Sequence, residues 1–245
     1  DFHKAALGKQ NLNGRRIAYV GNIGGVIPLD KQVEKLVKAG AYAFEQLGCD
    51  VEEACFDASD IQNIIMGTRG FGMVARYAER YDKYKDLMTS QLINQVSAAL
   101  DLSVRDVVRS ERLRTEYWHK VRRFMENFDY IVAPVVGAPP FRLDEPLPKQ
   151  VGGVAVDRFQ DVFLSTYVFS VTGLPMISVP CGLTKDGRPV GMQIIARRHR
   201  EDQAIEAASA YERLAPNLFV RPKMDLTVVK PVSKALTTPG VTIKK

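Results

Sequence analysis

The chain has 245 residues, of which 46% are hydrophobic, 25% charged and 9% aromatic, enough for one large globular domain or two small ones. This composition excludes disordered, collagen-like and low-complexity chains. The 34 basic and 28 acidic groups leave a net charge of +6, a bias toward anions that specifies no partner.

No apolar run approaches the roughly 18 to 20 residues of a membrane helix, and the opening DFHKAALGKQ lacks the apolar centre of a signal peptide. Cys49, Cys55 and Cys181 fit neither a disulfide framework nor a zinc site, so a reducing, cytoplasmic location without a metal is expected. His3, His119 and His199 lie in charged or terminal surroundings, poor places for a Ser/His or Cys/His nucleophile. GxGxxG, GxxxxGK[ST], HExxH and GxSxG are all absent.

In chain order, RRIAYVGNIG (residues 15–24) reads as a buried strand leaving through a glycine turn. Asp30 then stands as N-cap before KQVEKLVKAGAYAFEQLG, whose apolar residues recur at three-and-four spacing up to Gly48. A second short strand follows around Val51 and residues 54–56, which completes a βαβ unit and predicts a mainly parallel sheet. Residues 60–129 read as helical, with Gly67, Gly70 and Gly72 as their main breakers. One helix there starts with the capping pair Ser103 and Asp106 and carries an apolar stripe of Val104, Val107, Val108, Trp118, Val121, Met125 and Phe128. Its other face holds Arg105, Arg109, Arg112, Lys120 and Arg123. Residues 103–129 carry seven basic and five acidic groups, 7 − 5 = +2, which is a solvated helix face rather than a nucleic-acid groove.

Next, DYIVAPVVGAPPF is a buried strand broken by prolines, 142–156 a surface loop, and 157–173 a helix rich in Phe and Tyr. Two apolar strands, 176–181 and 189–196, flank a turn at Asp186 and Gly187. Residues 201–214 form a last helix with Ala204, Ile205, Ala208 and Tyr211 inward, and the proline-punctuated remainder reads as a surface arm.

The stretch TGLPMISVPCGLTKDGRPVGMQIIA, from residue 172 on, resembles the amidase signature family, whose members read close to TGLPAISVPCG, a DG turn, then LPVGLQ. FDYIVAPVVGAPPF is similar to the family's FDxxxxPTxPxxA segment, and EDQAIEAASAYE, GRRIAYVGN and LDKQVEKLVKAG agree in order. The family's catalytic lysine and two serines, one of them within a run like GGSSGGS, have no counterpart here. The resemblance therefore implies the carboxy-terminal part of the amidase-signature fold: an α/β protein with a mixed, mostly parallel sheet flanked by helices. It divides the chain into a segment 1–14, half of an amidase domain over 15–214, and an extended arm over 215–245.

The implied activity is cleavage of carboxylic amides by serine acyl transfer, on a small-molecule amide, without a cofactor. The implied partner is an amino-terminal amidase segment or subunit carrying the catalytic groups. Nucleic acid and membrane are not expected partners, and a homodimer is open to the chain. The strands at 16–23, 130–134, 176–181 and 189–196 are expected to pair with the missing part. No catalytic residue is assigned to this chain. Phe163, Tyr167 and Phe169, on the segment that in the family runs beside the acyl cavity, are the candidate substrate-binding residues. Core aromatics at helical spacing are the other reading of all three. Ser170 and Val135 stand where the family commonly has Asn and Thr. Gln193 reads as a strand amide bonded to backbone, Ser178 as structural, Cys181 as a small buried hydrophobe, and Arg69 as a residue of a helix-joining loop that could meet a carboxylate. Two other functions are carried: the amidase component of a tRNA-dependent amidotransferase, against which an aromatic wall argues, and a non-enzymatic scaffold.

Overall fold

The computed structural model describes residues 1–8, 11–142 and 147–219; of the expected arm, the part beyond Phe219 lies outside the described residues. Within the segment expected before the domain, a short helix α1 (Phe2–Leu7) packs on the last helix, where Ser209 Oγ donates to the carbonyl of Ala6 at 2.5 Å. Strand β1 (Arg16–Tyr19), helix α2 (Lys31–Tyr42) and strand β2 (Asp50–Glu53) form the expected βαβ unit, with β1 and β2 parallel. Asp30 caps α2, accepting from the N–H groups of Gln32 at 2.8 Å and Val33 at 3.3 Å. The second strand sits earlier than expected because pairing with β1 runs from Asp50 to Glu53.

Three helices follow: α3 (Ile61–Tyr84), α4 (Ser90–Leu100) and α5 (Val104–Phe124). The Ser103–Asp106 capping box forms as predicted. The stripe on α5 is rotated from the expected one. Val104 and Val108 are 81% and 55% exposed, while Ser110, Tyr117 and Val121 are buried. The reason is steric: α3 crosses α5 so closely at Gly67 that a Cβ there would stand 2.3 Å from the Ser110 Cβ. A small polar residue thus occupies the contact, and apolarity alone misplaces the face. On the basic side, Arg105, Arg109, Arg112 and Arg123 are exposed, and Lys120 pairs with Asp57 at 2.6 Å.

Strand β3 (Tyr130–Pro134) precedes a small hairpin, β4 (Gln150–Val151) and β5 (Val154–Ala155). The single helix expected over 157–173 is two, α6 (Phe159–Val162) and α7 (Leu164–Ser170), because Phe163 leaves helical geometry. The break lets Val162 and Phe163 pack on Val151 and Val156 while Leu164, Val168 and Phe169 turn to the main core. Strands β6 (Met176–Leu183) and β7 (Pro189–Ala196) form the predicted hairpin, and α8 (Glu201–Leu214) closes the fold, with Ile205 only half-buried.

The sheet order is β2-β1-β3-β7-β6. Pairing is parallel from β2 through β1 to β3 and antiparallel at β3–β7 and β7–β6, so β7 alone among the five strands opposes the others. Strands β1, β3 and β7 are laddered on both sides within the chain, contrary to the expectation that all four expected strands pair elsewhere; β2 and β6 are the edges. One face packs α2 and α8 around Phe44, Tyr130 and Tyr211; the other packs α3, α5 and α7 around Ile64, Ile131 and Phe169.

Gly67→Ala is expected to lower stability by about 1–3 kcal/mol through overpacking at the α3–α5 crossing. A urea unfolding midpoint measures the loss, and adding Ser110→Gly should restore most of it.

Candidate active site

Four strands running one way place the carboxyl ends of β1, β3 and β6 on one rim of the sheet, where open α/β proteins hold their ligands. The loops of this rim are fastened together. Asp30 N–H donates to the Gly137 carbonyl at 2.8 Å, Lys185 N–H to Gln32 Oε1 at 3.2 Å, and Arg188 Nη1 to the Pro140 carbonyl at 2.8 Å. Gly137 must be glycine, since a Cβ there would lie 2.0 Å from the carbonyl oxygen of Pro28.

Beneath the proline loop lies a cleft of about 450 Å³, bounded by Val135, Pro139, Pro140, Phe141 and Phe163 and floored by Ser178 and Gly191. Gly191 keeps the floor open: a Cβ would touch Ser178 Oγ and Val135 Cγ2, both at 3.4 Å. A buried polar clamp sets its back wall. The Gln193 amide donates to the carbonyls of Pro134 at 2.8 Å and Ser165 at 3.1 Å, and the hydroxyls of Ser165 and Thr166 both donate to the Val135 carbonyl at 2.7 Å. The reading of Gln193 as a strand amide bonded to backbone holds. The Ser165–Thr166 pair carries no sequence signal, because its acceptor lies 30 residues away.

The three aromatic candidates do not converge. Phe163 lines the cleft; Tyr167 lines a separate groove beneath the Arg69 guanidinium, 5.7 Å from its ring centroid; Phe169 is fully buried against Phe56 at 6.1 Å. Arg69 lies inside α3, not in a joining loop, and donates from Nη2 to Gln95 Oε1 at 2.6 Å. The glycines at 67, 70 and 72, expected as breakers, sit within one continuous helix, where Gly67 and Gly70 serve close contacts. Ser170 is exposed and bonds its own helix at Thr166 O, 2.8 Å.

Among the described residues the cleft's lining holds no titratable side chain, and Ser178 is the one hydroxyl there. It can hold an apolar group but moves no proton by itself. Cys181, next to the cleft, donates to the Val190 carbonyl at 3.4 Å, and burial pushes its thiol up to about 12; burial likewise raises Cys49 to about 11. Neither is a nucleophile near neutrality. The three histidines are exposed, and no group of metal-ligating residues occurs among the described residues.

Two outcomes follow from this geometry. Gln193→Leu leaves the Pro134 and Ser165 carbonyls without their donor and should cost about 1–3 kcal/mol in a denaturant titration. At pH 8 a thiol reagent should label exposed Cys55 at once, and Cys49 and Cys181 only after unfolding, as read by peptide mass spectrometry.

The family model described as Amidase matches residues 1–205. An acylamidase of Rhodococcus erythropolis is 28% identical over 222 residues, covering 90% of this chain and 46% of the relative. A glutamyl-tRNA(Gln) amidotransferase subunit from Acaryochloris marina is 25% identical, over 87% of this chain and 48% of the relative. Among solved structures, a bacterial aryl acylamidase of the amidase signature enzymes superposes with a TM-score of 0.75 at 28% identity, covering 88% of this chain and 46% of that one. The chain spans about half the length of the curated relatives it matches.

Proposed function

The chain belongs to the Amidase family, and from that premise we propose that it supplies the substrate wall and framework of a hydrolase that cleaves carboxylic amides by serine acyl transfer. The observation that carries this reading is the cleft at the sheet rim, shaped and apolar, with no acid or base among its described lining residues. In the proposed reaction a serine and a neutral lysine come from polypeptide outside this sequence. The lysine takes the serine proton through a second serine, and the serine oxygen attacks the amide carbonyl. The amine leaves with that proton, and water then frees the acid and regenerates the serine. Phe163 and the proline loop hold the apolar acyl group, while Tyr167, in its separate groove, and Phe169, in the core, stand away from it. No cofactor enters this scheme, and the completed enzyme is assigned to the cytoplasm.

The amidotransferase reading would require groups to meet both charges of glutamine's α-carbon, and the described residues of the cleft lining offer none. An aryl amide is therefore the preferred substrate class over glutamine.

Material purified for activity on an aryl amide should contain polypeptide beyond this 27.3 kDa chain, visible by intact mass. Hydrolysis by the lone chain would overturn the proposal. In the completed enzyme Phe163→Ala should raise KM for the aryl amide about tenfold with a smaller change in kcat, and faster turnover of glutamine than of the aryl amide would favour the amidotransferase.

A further inference from the structure

A second cavity, of about 610 Å³, opens between α3, α4 and the segment leading into α6, and shares no lining residue with the cleft. Ile65, Met66 and Met73 of α3 and Leu147 give it apolar lining, Arg69 stands among them on the same helix, and Gln91 comes from α4. Among the described residues Arg69 makes a single hydrogen bond, through Nη2 to Gln95, and its buried Nε has no acceptor. The buried Nε2 of Gln91 has none either. Leaving two buried donors unsatisfied is costly, and native structures keep such groups for a reason.

The charges around Arg69 sharpen the point. Arg158, also in the lining, is held by Asp161 at 3.1 Å, whereas Arg69 has no carboxylate within ion-pair distance among the described residues. Asp157, the lining carboxylate, is exposed at the rim. On the far side of Arg69, Arg76 and Arg114 line the neighbouring groove and add positive potential. Ser90 and Gln91 form the first turn of α4 after its N-cap Thr89, where backbone N–H groups lack intrahelical acceptors and the helix end is positive. Every unsatisfied group here asks for an acceptor oxygen with negative charge, and the apolar side chains flanking Arg69 along α3 ask for an apolar body.

We propose that this cavity binds a small organic carboxylate with an apolar body, its carboxylate seated between the Arg69 guanidinium and the Gln91 amide at the start of α4. A guanidinium and an amide together present planar, convergent donors suited to a carboxylate fork. This site needs neither the cleft nor a nucleophile, so binding is its readout.

Benzoate titrated calorimetrically into the 245-residue chain should bind with an affinity that falls as salt rises. Arg69→Gln should weaken it at least tenfold, Arg69→Lys less, and Gln91→Leu a few-fold, with unchanged thermal midpoints. Should Arg69→Gln fail to fold, the wild-type chain still decides: benzyl alcohol, the same ring without the charge, should bind at least tenfold more weakly than benzoate. Absence of benzoate binding at millimolar concentration, equal binding of benzyl alcohol, undiminished binding by a folded Arg69→Gln chain, or tighter binding of L-glutamine than of benzoate would each overturn the proposal. None of these readings depends on amide hydrolysis, so either proposal can fail alone.

Discussion

Strand β3 runs through the middle of the protein with every side chain buried and both backbone edges laddered, to β1 on one side and β7 on the other. A strand without water on either face needs apolar residues at consecutive positions, and YIVAP provides them. Helices must then cover both faces. Alternate residues of the sheet feed two separate cores, Tyr130 and Val132 toward α2 and α8, Ile131 and Ala133 toward α3, α5 and α7. The position of each helix, and of each loop that leaves the sheet, follows from where β3 ends.

β3 ends at proline, and the cleft begins there. Pro134 cannot donate from its nitrogen, and its carbonyl instead receives the Gln193 amide while the next carbonyl, Val135, receives two hydroxyls from α7. A polar clamp of this kind, fully satisfied and buried, holds backbone in one place more firmly than apolar contact does. The result is an apolar recess whose described lining carries no titratable side chain.

The Arg69 cavity follows the opposite rule. Two of its donors are buried and not satisfied, and among the described residues one cation stands over an aromatic ring without a carboxylate beside it. Two concave surfaces of the protein are thus built on contrasting terms: one backed by a hydrogen-bonded clamp and without titratable side chains in its described lining, one with donors in want of an acceptor. Different occupants are the natural consequence.

The βαβ unit, the Asp30 and Ser103 caps, the β6–β7 hairpin and α8 were legible in the chain, because each rests on contacts within a few residues or on a periodic pattern. The family resemblance was legible for the same reason, being carried by one unbroken stretch from residue 172. Tertiary structure alone decided the rest. It rotated the buried face of α5 around a glycine–serine contact 43 residues apart, split the 157–173 helix at Phe163, and sent Phe163, Tyr167 and Phe169 to a cleft, a groove and a core. Local patterns record which residues avoid water, but which neighbour they meet is set by the packing of segments far apart in the chain, and no periodicity along one segment encodes the shape of another.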